Sequence, residues 1–356
     1  MLYEVVTNFT SDEFEAYFSP IGRGFLLSIN AFIILAGLTG NGIVAYGSIK
    51  HNAIQMDRVS VMFIENLAIT DMLLTLVLFV PAFITLAAKR WIYGDLFCVV
   101  SAFIFRYLPM QNEISIICAM SVYRLWILKM PQAYRDSFST GKVRLLMVLL
   151  FLVSLVPGTC MFFMDHSHRA VFHAKFVSCA PGILSETTQN GFILVMAGLF
   201  VGIPLIICIG TNSLIIYNVI YSAKQIGTRT YHKSVVMLLL YICIAFILSH
   251  FAFFLKIGVI AMGYTVPDWF ENLALYMISV NVVGNPVIYT AKNEHFRQYV
   301  KTLFGICQSD NYLIRKERCS DRSDKDSDNE TPLKTSKHKD NKTIPGVYKE
   351  LHNESE

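Results

Sequence analysis

Seven apolar runs dominate this chain, at about residues 24–49, 59–87, 97–128, 143–164, 190–223, 233–261 and 269–290. Each is near or above the roughly 20 residues that an α-helix needs to cross a bilayer. A soluble core cannot absorb them. Soluble chains are usually about 25% charged, whereas this one is 16% charged and 54% hydrophobic over 356 residues. In hydrocarbon every backbone N–H and C=O must find its partner inside the protein, and runs of this length satisfy that as helices. The expected fold class is therefore an all-α membrane protein, a seven-transmembrane helix bundle.

Seven crossings put the two termini on opposite sides. Lys and Arg number 13 in segments 50–58, 124–144, 224–233 and 292–301, against five in the N-tail and segments 87–95, 165–186 and 262–268. By the positive-inside rule the N-terminus is extracellular and the tail cytoplasmic, so the expected location is the plasma membrane. Four divisions follow: an extracellular N-tail (1–23), the seven-helix domain (24–291), an amphipathic juxtamembrane helix (292–307) and a disordered cytoplasmic tail (308–356). The N-tail is acidic where a secretory signal is basic, and the first apolar run is too long for a signal core, so that run reads as a retained span. Asn8-Phe9-Thr10 is a glycosylation sequon, usable only with this end outside. Phe296, Val300, Leu303 and Phe304 fall at i, i+4, i+7 and i+8 among Lys292, Arg297 and Lys301, the pattern of a helix lying on a membrane face. Cys307 closes that helix, where palmitoylation would anchor it to membrane lipid. A net charge of +4 is too small to point to nucleic acid.

The third run organises the rest. It carries Arg106 near its outer end, Pro109 and Glu113 inside, and Tyr123-Arg124-Leu125 at its inner end. Arg106 and Arg124 are 18 residues apart, five whole turns, so on a regular helix both project from one face about 27 Å apart. Charges within a span usually face the bundle interior, which makes both candidate functional residues; snorkelling at the two ends is the plainer alternative. Elsewhere Asn41, Asp71, Glu113, Asn281 and Asn285 form a candidate buried network able to hold a cation such as sodium near Asp71 or to shuttle a proton, with helix–helix hydrogen bonding as the alternative. Cys98 and Cys179 both fall on the oxidising side, which favours a disulfide between the third span and the longest outer loop. No cysteine or histidine spacing suits a zinc site, and no nucleophile–base pair recurs, so no enzyme is expected.

Together these residues resemble the rhodopsin-like (class A) G-protein-coupled receptors over about residues 24 to 307. The resemblance rests on Asn41, the Asn66-to-Asp71 run, Trp91 with Gly94, the Cys98/Cys179 pair, Arg124 followed by Pro131, Pro204, and Asn285-Pro286 with Tyr289. It implies a receptor that carries an extracellular ligand signal to a heterotrimeric G protein, with a tail phosphorylated for arrestin. Tyr123, Arg124, Pro131, His250, Pro286 and Tyr289 are the implied activation and coupling residues. There are departures. Tyr123 stands where the family has an acid before its arginine, which leaves Arg124 without its usual restraint and basal activity expected. Ser249-His250-Phe251-Ala252 replaces the family's Cys-Trp-x-Pro, so His250 sits at the switch level, where imidazole suits a pH sensor. The distance from Cys98 to Arg124 is one residue longer than in the family, and Pro109 gives a place for a bulge. Ser279 stands where a visual pigment has its retinal lysine. A decoy that binds without signalling and, further off, a transporter are the alternatives. For the ligand, Arg106 with Lys256, flanked by Phe253, Phe254 and Tyr276, predicts an anionic group on either a peptide or a small acid.

Overall fold

The computed structural model describes residues 4–6, 18–51, 54, 56–129, 139–164, 169–173, 177–181, 191, 194–225 and 230–305. Asn8, Pro131, Cys307 and the 308–356 tail lie outside the described residues. The first span is Pro20–His51 and the second joins Arg58–Leu74 to Val80–Ala88 through a π-helical turn at Thr75–Phe79. The third joins Gly94–Val100 to Leu108–Lys129. The fourth is Thr140–Ser154 followed by Val156–Met164. The fifth runs from a π-helical turn at Gly198–Gly202 into Ile203–Gln225, the sixth is Thr230–Ala261 and the seventh Asp268–Lys292. Among the described residues six helices are long and apolar enough to cross a membrane. The third span makes the seventh crossing, and it is interrupted and carries Arg106, Glu113 and Arg124.

That interruption overturns the five-turn alignment of Arg106 with Arg124 and falls beside Pro109, where the extra residue suggested a bulge. Ser101–Phe105 forms a π-helical turn, Arg106 and Tyr107 form a bend, and the α-helix resumes at Leu108. Pro109 supplies the cause: it has no N–H to donate, and its ring crowds the carbonyl four residues back, that of Phe105. The turn takes up one extra residue and aims Arg106 independently of Arg124. Gly158 of the fourth span fits against this irregular stretch, and a Cβ there would collide with the Phe103 carbonyl oxygen.

Three short strands cap the disulfide end of the bundle. They are β1 (Glu4–Val6), β2 (Arg169–His173) and β3 (Ser178–Pro181). β1 pairs parallel with β2, and β2 antiparallel with β3, with Phe172 opposite Cys179. Trp91 packs 5.3 Å from the Phe172 ring and donates through Nε1 to the Gly94 carbonyl at 3.0 Å, which seats the hairpin on the bundle.

At the opposite end Asn293 breaks the seventh span and caps the next helix, Glu294–Leu303, accepting from the Phe296 N–H at 3.0 Å. Phe296 and Tyr299 are buried against the bundle, while Leu303 and Phe304 point away from it. Gly47 of the first span makes room for Tyr299, since a Cβ there would stand 2.6 Å from the ring. Leu145, Val148, Leu149 and Leu152 are exposed on the fourth span, a face suited to lipid.

Candidate functional site

The disulfide end holds two adjoining cavities. Cys98 and Cys179 are bonded, with Cα atoms 5.4 Å apart, and tie the start of the third span to β3. Ala180 and Pro181 of β3 then line the larger cavity, of about 130 Å³, between spans three to six. A smaller one, about 50 Å³, opens toward spans one, two and seven, where Asn30, Glu271 and Tyr276 line it. Arg106, Met110, Phe253 and Lys256 line both. Phe254 lines only the larger cavity and Tyr276 only the smaller, its hydroxyl accepting from Asn30 Nδ2 at 2.9 Å.

The two cations expected to act together differ. Lys256 Nζ is 3.1 Å from Glu271 Oε1, so its charge is already compensated within the bundle. Arg106 is half-buried and makes no ion pair among the described residues. Sequence reasoning missed Glu271. Fifteen residues separate it from Lys256, and only the packing of spans six and seven brings the two together.

Below the cavities the five network residues lie in three hydrogen-bonded groups. Pro286 has no N–H for the Val282 carbonyl, and Asn41 fills the gap, donating to Val282 O at 2.9 Å. Asn285 Nδ2 donates to Asp71 Oδ2 at 2.9 Å. Asn281 donates to Glu113 Oε1, and His250 Nε2 faces Glu113 Oε2 at 3.6 Å. His250 Nδ1 lies 3.1 Å from the Phe246 carbonyl, which leaves it the donor there and Nε2 an acceptor in the neutral ring. Glu113 thus contacts spans six and seven rather than Arg106. The network is rich in acceptors: Asp71 Oδ1, Glu113 Oε2 and the side-chain oxygens of Asn41, Asn281 and Asn285 are buried without a donor among the described residues. Such a set fits a proton, a water or a small hard cation such as sodium. Three or more His, Cys, Asp or Glu in metal-binding proximity are absent from the described residues.

The Arg124 end corrects the expectation that this arginine lacks an acid. Asp57 supplies it from the second span, where it is the N-cap and accepts from the Ser60 N–H at 3.0 Å. Arg124 Nη1 lies 3.3 Å from Asp57 Oδ1, Arg124 Nη2 donates to Ser60 Oγ, and Tyr123 donates its hydroxyl to Asp57 Oδ2 at 2.6 Å. Tyr123, which replaces the family's acid, therefore holds the substitute acid in place. Burial pushes the Asp57 carboxyl up, but the Arg124 charge and the hydrogen bonds from Ser60 and Tyr123 outweigh it and hold the carboxyl below its ordinary value. The cue in sequence was Asp57 with Ser60 three residues on, immediately ahead of an apolar run; it reads as a cap, and its contact with Arg124 is tertiary. Asn212 donates to Ser121 Oγ at 2.9 Å, and Ser121 also contacts the Cys208 and Cys243 thiols at 3.6 and 3.4 Å. Tyr289 is buried, its ring 6.3 Å from Phe296.

A disulfide-closed cavity above a buried polar network, with a guarded arginine at the far end, is the arrangement of a membrane receptor rather than of an enzyme. Residues 40–289 match the 7 transmembrane receptor (rhodopsin family) pattern. The chain belongs to that family. It is 24% identical over 302 residues to the tachykinin-like peptides receptor 86C of Drosophila melanogaster, covering 78% of this chain and 58% of that one. It is 21% identical over 304 residues to the QRFP-like peptide receptor of Branchiostoma floridae, covering 80% and 78%. A GQ-coupled rhodopsin of Mizuhopecten yessoensis is 24% identical over 336 residues, covering 86% and 66%. The chain thus spans little more than half of the first of these and about two thirds of the third.

Proposed function

We propose that this protein is a cell-surface receptor that passes the binding of an extracellular anionic ligand to a heterotrimeric G protein. The observation that carries the ligand half is Arg106: a half-buried guanidinium shared by two cavities, without an ion pair among the described residues, beside a lysine whose charge Glu271 already meets. A desolvated guanidinium gains most from a carboxylate or phosphate partner. The coupling half rests on family membership and on Arg124, held by Asp57 in a form from which it can be released.

The same reading places the N-terminus outside, in line with the distribution of Lys and Arg. It assigns the tail to arrestin, Asn8 to glycosylation, Cys307 to palmitoylation, and the oxygen-rich site around Asp71 and Glu113 to a sodium ion. A non-signalling decoy loses its main motive once Asp57 is counted, because the altered Tyr123-Arg124-Leu125 sequence still carries a restrained arginine. The test is a screen of acidic compounds against cells expressing the receptor, read on several second messengers. An active acid whose potency falls in Arg106→Gln and whose signal disappears in Arg124→Ala supports both halves. A cationic agonist, or one indifferent to Arg106, removes the ligand half and leaves the coupling half standing.

A further inference from the structure

We infer that the ligand is a small monocarboxylate, carrying one carboxylate for Arg106 and one apolar body about the size of a benzene ring. This rests on the reading of the Arg106 cavity as an anion site and narrows it in charge, size and class.

Charge comes first. Among the described residues the ionised groups lining the two cavities are Arg106, Lys256 and Glu271, and the last two are paired at 3.1 Å. Of these, one positive charge is left over. A monoanion neutralises it, whereas a dianion brings a second charge into the bundle with no partner, at a large desolvation penalty.

Size comes next. The larger cavity measures about 130 Å³. An apolar protein cavity of about 150 Å³ holds one benzene. A six-membered ring or a chain of similar volume therefore fills it.

Class follows from the wall. Apart from Arg106 and Lys256 its polar side chains are Tyr107, Gln111 and His250. Gln111 Nε2 donates to the Phe200 carbonyl at 2.9 Å and reaches Ser115 Oγ at 3.3 Å, and His250 Nδ1 is engaged by Phe246 O. Most of the remainder, including Met110, Ile114, Met161 and Phe254, is apolar. A peptide backbone threaded here would bury amide groups against hydrocarbon with too few partners. The peptide receptors among the relatives therefore do not set the ligand class for this cavity. An uncharged apolar ligand fits the wall but strips water from Arg106 without replacing it. A ring or short chain ending in a carboxylate satisfies both ends.

The experiment uses the full-length receptor in lipid nanodiscs, titrated with 3-phenylpropionate and octanoate. Comparators are 3-phenylpropanol, 3-phenylpropylamine, the dianion phenylsuccinate, and palmitate. Binding is read by ligand-observed NMR and by melting temperature. The two small acids should bind saturably below about 1 mM, as the efficiency of ligands this small allows. The alcohol should bind at least about tenfold more weakly, and Arg106→Gln should lower acid affinity by at least the same factor, because a charge-assisted contact is lost. Val201→Phe narrows the cavity without touching a charge and should also abolish binding; it carries the test if Arg106→Gln proves misfolded by its ligand-free melting. Tighter binding of phenylsuccinate, of palmitate or of an acidic peptide overturns the small monoanion but leaves the anion site intact. Preferred binding of the amine or alcohol overturns both. No saturable binding of either acid at about 1 mM overturns this inference alone.

Discussion

Replacing Asp57 with Asn should release Arg124 while leaving the second span capped. Asn is as good an N-cap as Asp, so the Ser60 N–H keeps its acceptor and local helix stability changes little. What is lost is charge. The Tyr123 hydroxyl bond, 2.6 Å long, falls from charge-assisted to neutral, a loss of roughly half its strength. The Arg124 contact at 3.3 Å loses its counter-ion, with the Arg124 side chain 8% and the Asp57 side chain 30% exposed. At an effective dielectric near 20 the gross attraction at that distance is about 5 kcal/mol, and desolvation offsets a large part of it. A net loss of about 1.5–3 kcal/mol remains, consistent with hydrogen bonds to charged groups. If that free energy weighs on the resting arrangement, the resting-to-active ratio falls by about 10-fold or more. Basal nucleotide exchange on a G protein, measured in membranes at matched receptor density, should rise by that order. Asp57→Ala should show the same rise and lower receptor stability by a further 1 kcal/mol or so through loss of the cap. Unchanged basal exchange in Asp57→Asn, with Tyr123→Phe equally silent, would refute the restraint.

Acidity tests the same lock independently. The folded-state carboxyl lies below its ordinary 3.8, so its contribution is fully present above that value and is lost only as pH falls through the depressed one. Between pH 5 and 8 the lock is therefore constant, and wild type and Asp57→Asn should show parallel pH profiles on the Arg124 side; an Asp57-dependent step in that window contradicts the assignment. His250→Phe removes the imidazole that faces Glu113 at 3.6 Å, and a pH profile of signalling between pH 5 and 8 that this substitution leaves unchanged removes the expectation of an acid sensor. Cys98→Ser or Cys179→Ser removes a crosslink spanning 81 residues, worth about 4–5 kcal/mol by chain entropy, and should sharply reduce surface expression measured by antibody labelling; normal surface levels would contradict that. Gly158→Leu sets a side chain against the Phe103 carbonyl and should lower the melting temperature of purified receptor, with Gly47→Leu acting instead through Tyr299.

The parts legible in sequence share a physical property: each is local or is paired by environment. The capped amphipathic helix after Asn293 followed from period and charge, and the Cys98–Cys179 bond from both cysteines sharing the oxidising side. Pro109 announced an irregularity in the third span, although not that a π-helical turn at Ser101–Phe105 would absorb it. What stayed hidden were partners brought in from other helices. Asp57 is 67 residues from Arg124, and its local signature as a cap is complete without that contact. Glu271 likewise reads as an acid in the first turn of the seventh span, a favourable helix-dipole position that masks its role beside Lys256. Residues with a sufficient local reason attract no search for a distant one.

His250 joins the two halves of the molecule. It forms part of the wall of the larger cavity and faces the buried Glu113, which Asn281 holds from the seventh span. One turn below Asn281, Asn285 holds Asp71, and the adjacent Pro286 leaves Val282 O to Asn41. One oxygen of each carboxylate, Asp71 Oδ1 and Glu113 Oε2, has no donor among the described residues, so each acid is sensitive to the loss of the one partner it has. A ligand body in the cavity that displaces the imidazole changes the surroundings of Glu113 directly, and spans three, six and seven must then settle into a new set of hydrogen bonds. An imidazole opposite a carboxyl puts a titratable group at this contact, and whether it also senses acidity is what the pH profile of His250→Phe tests.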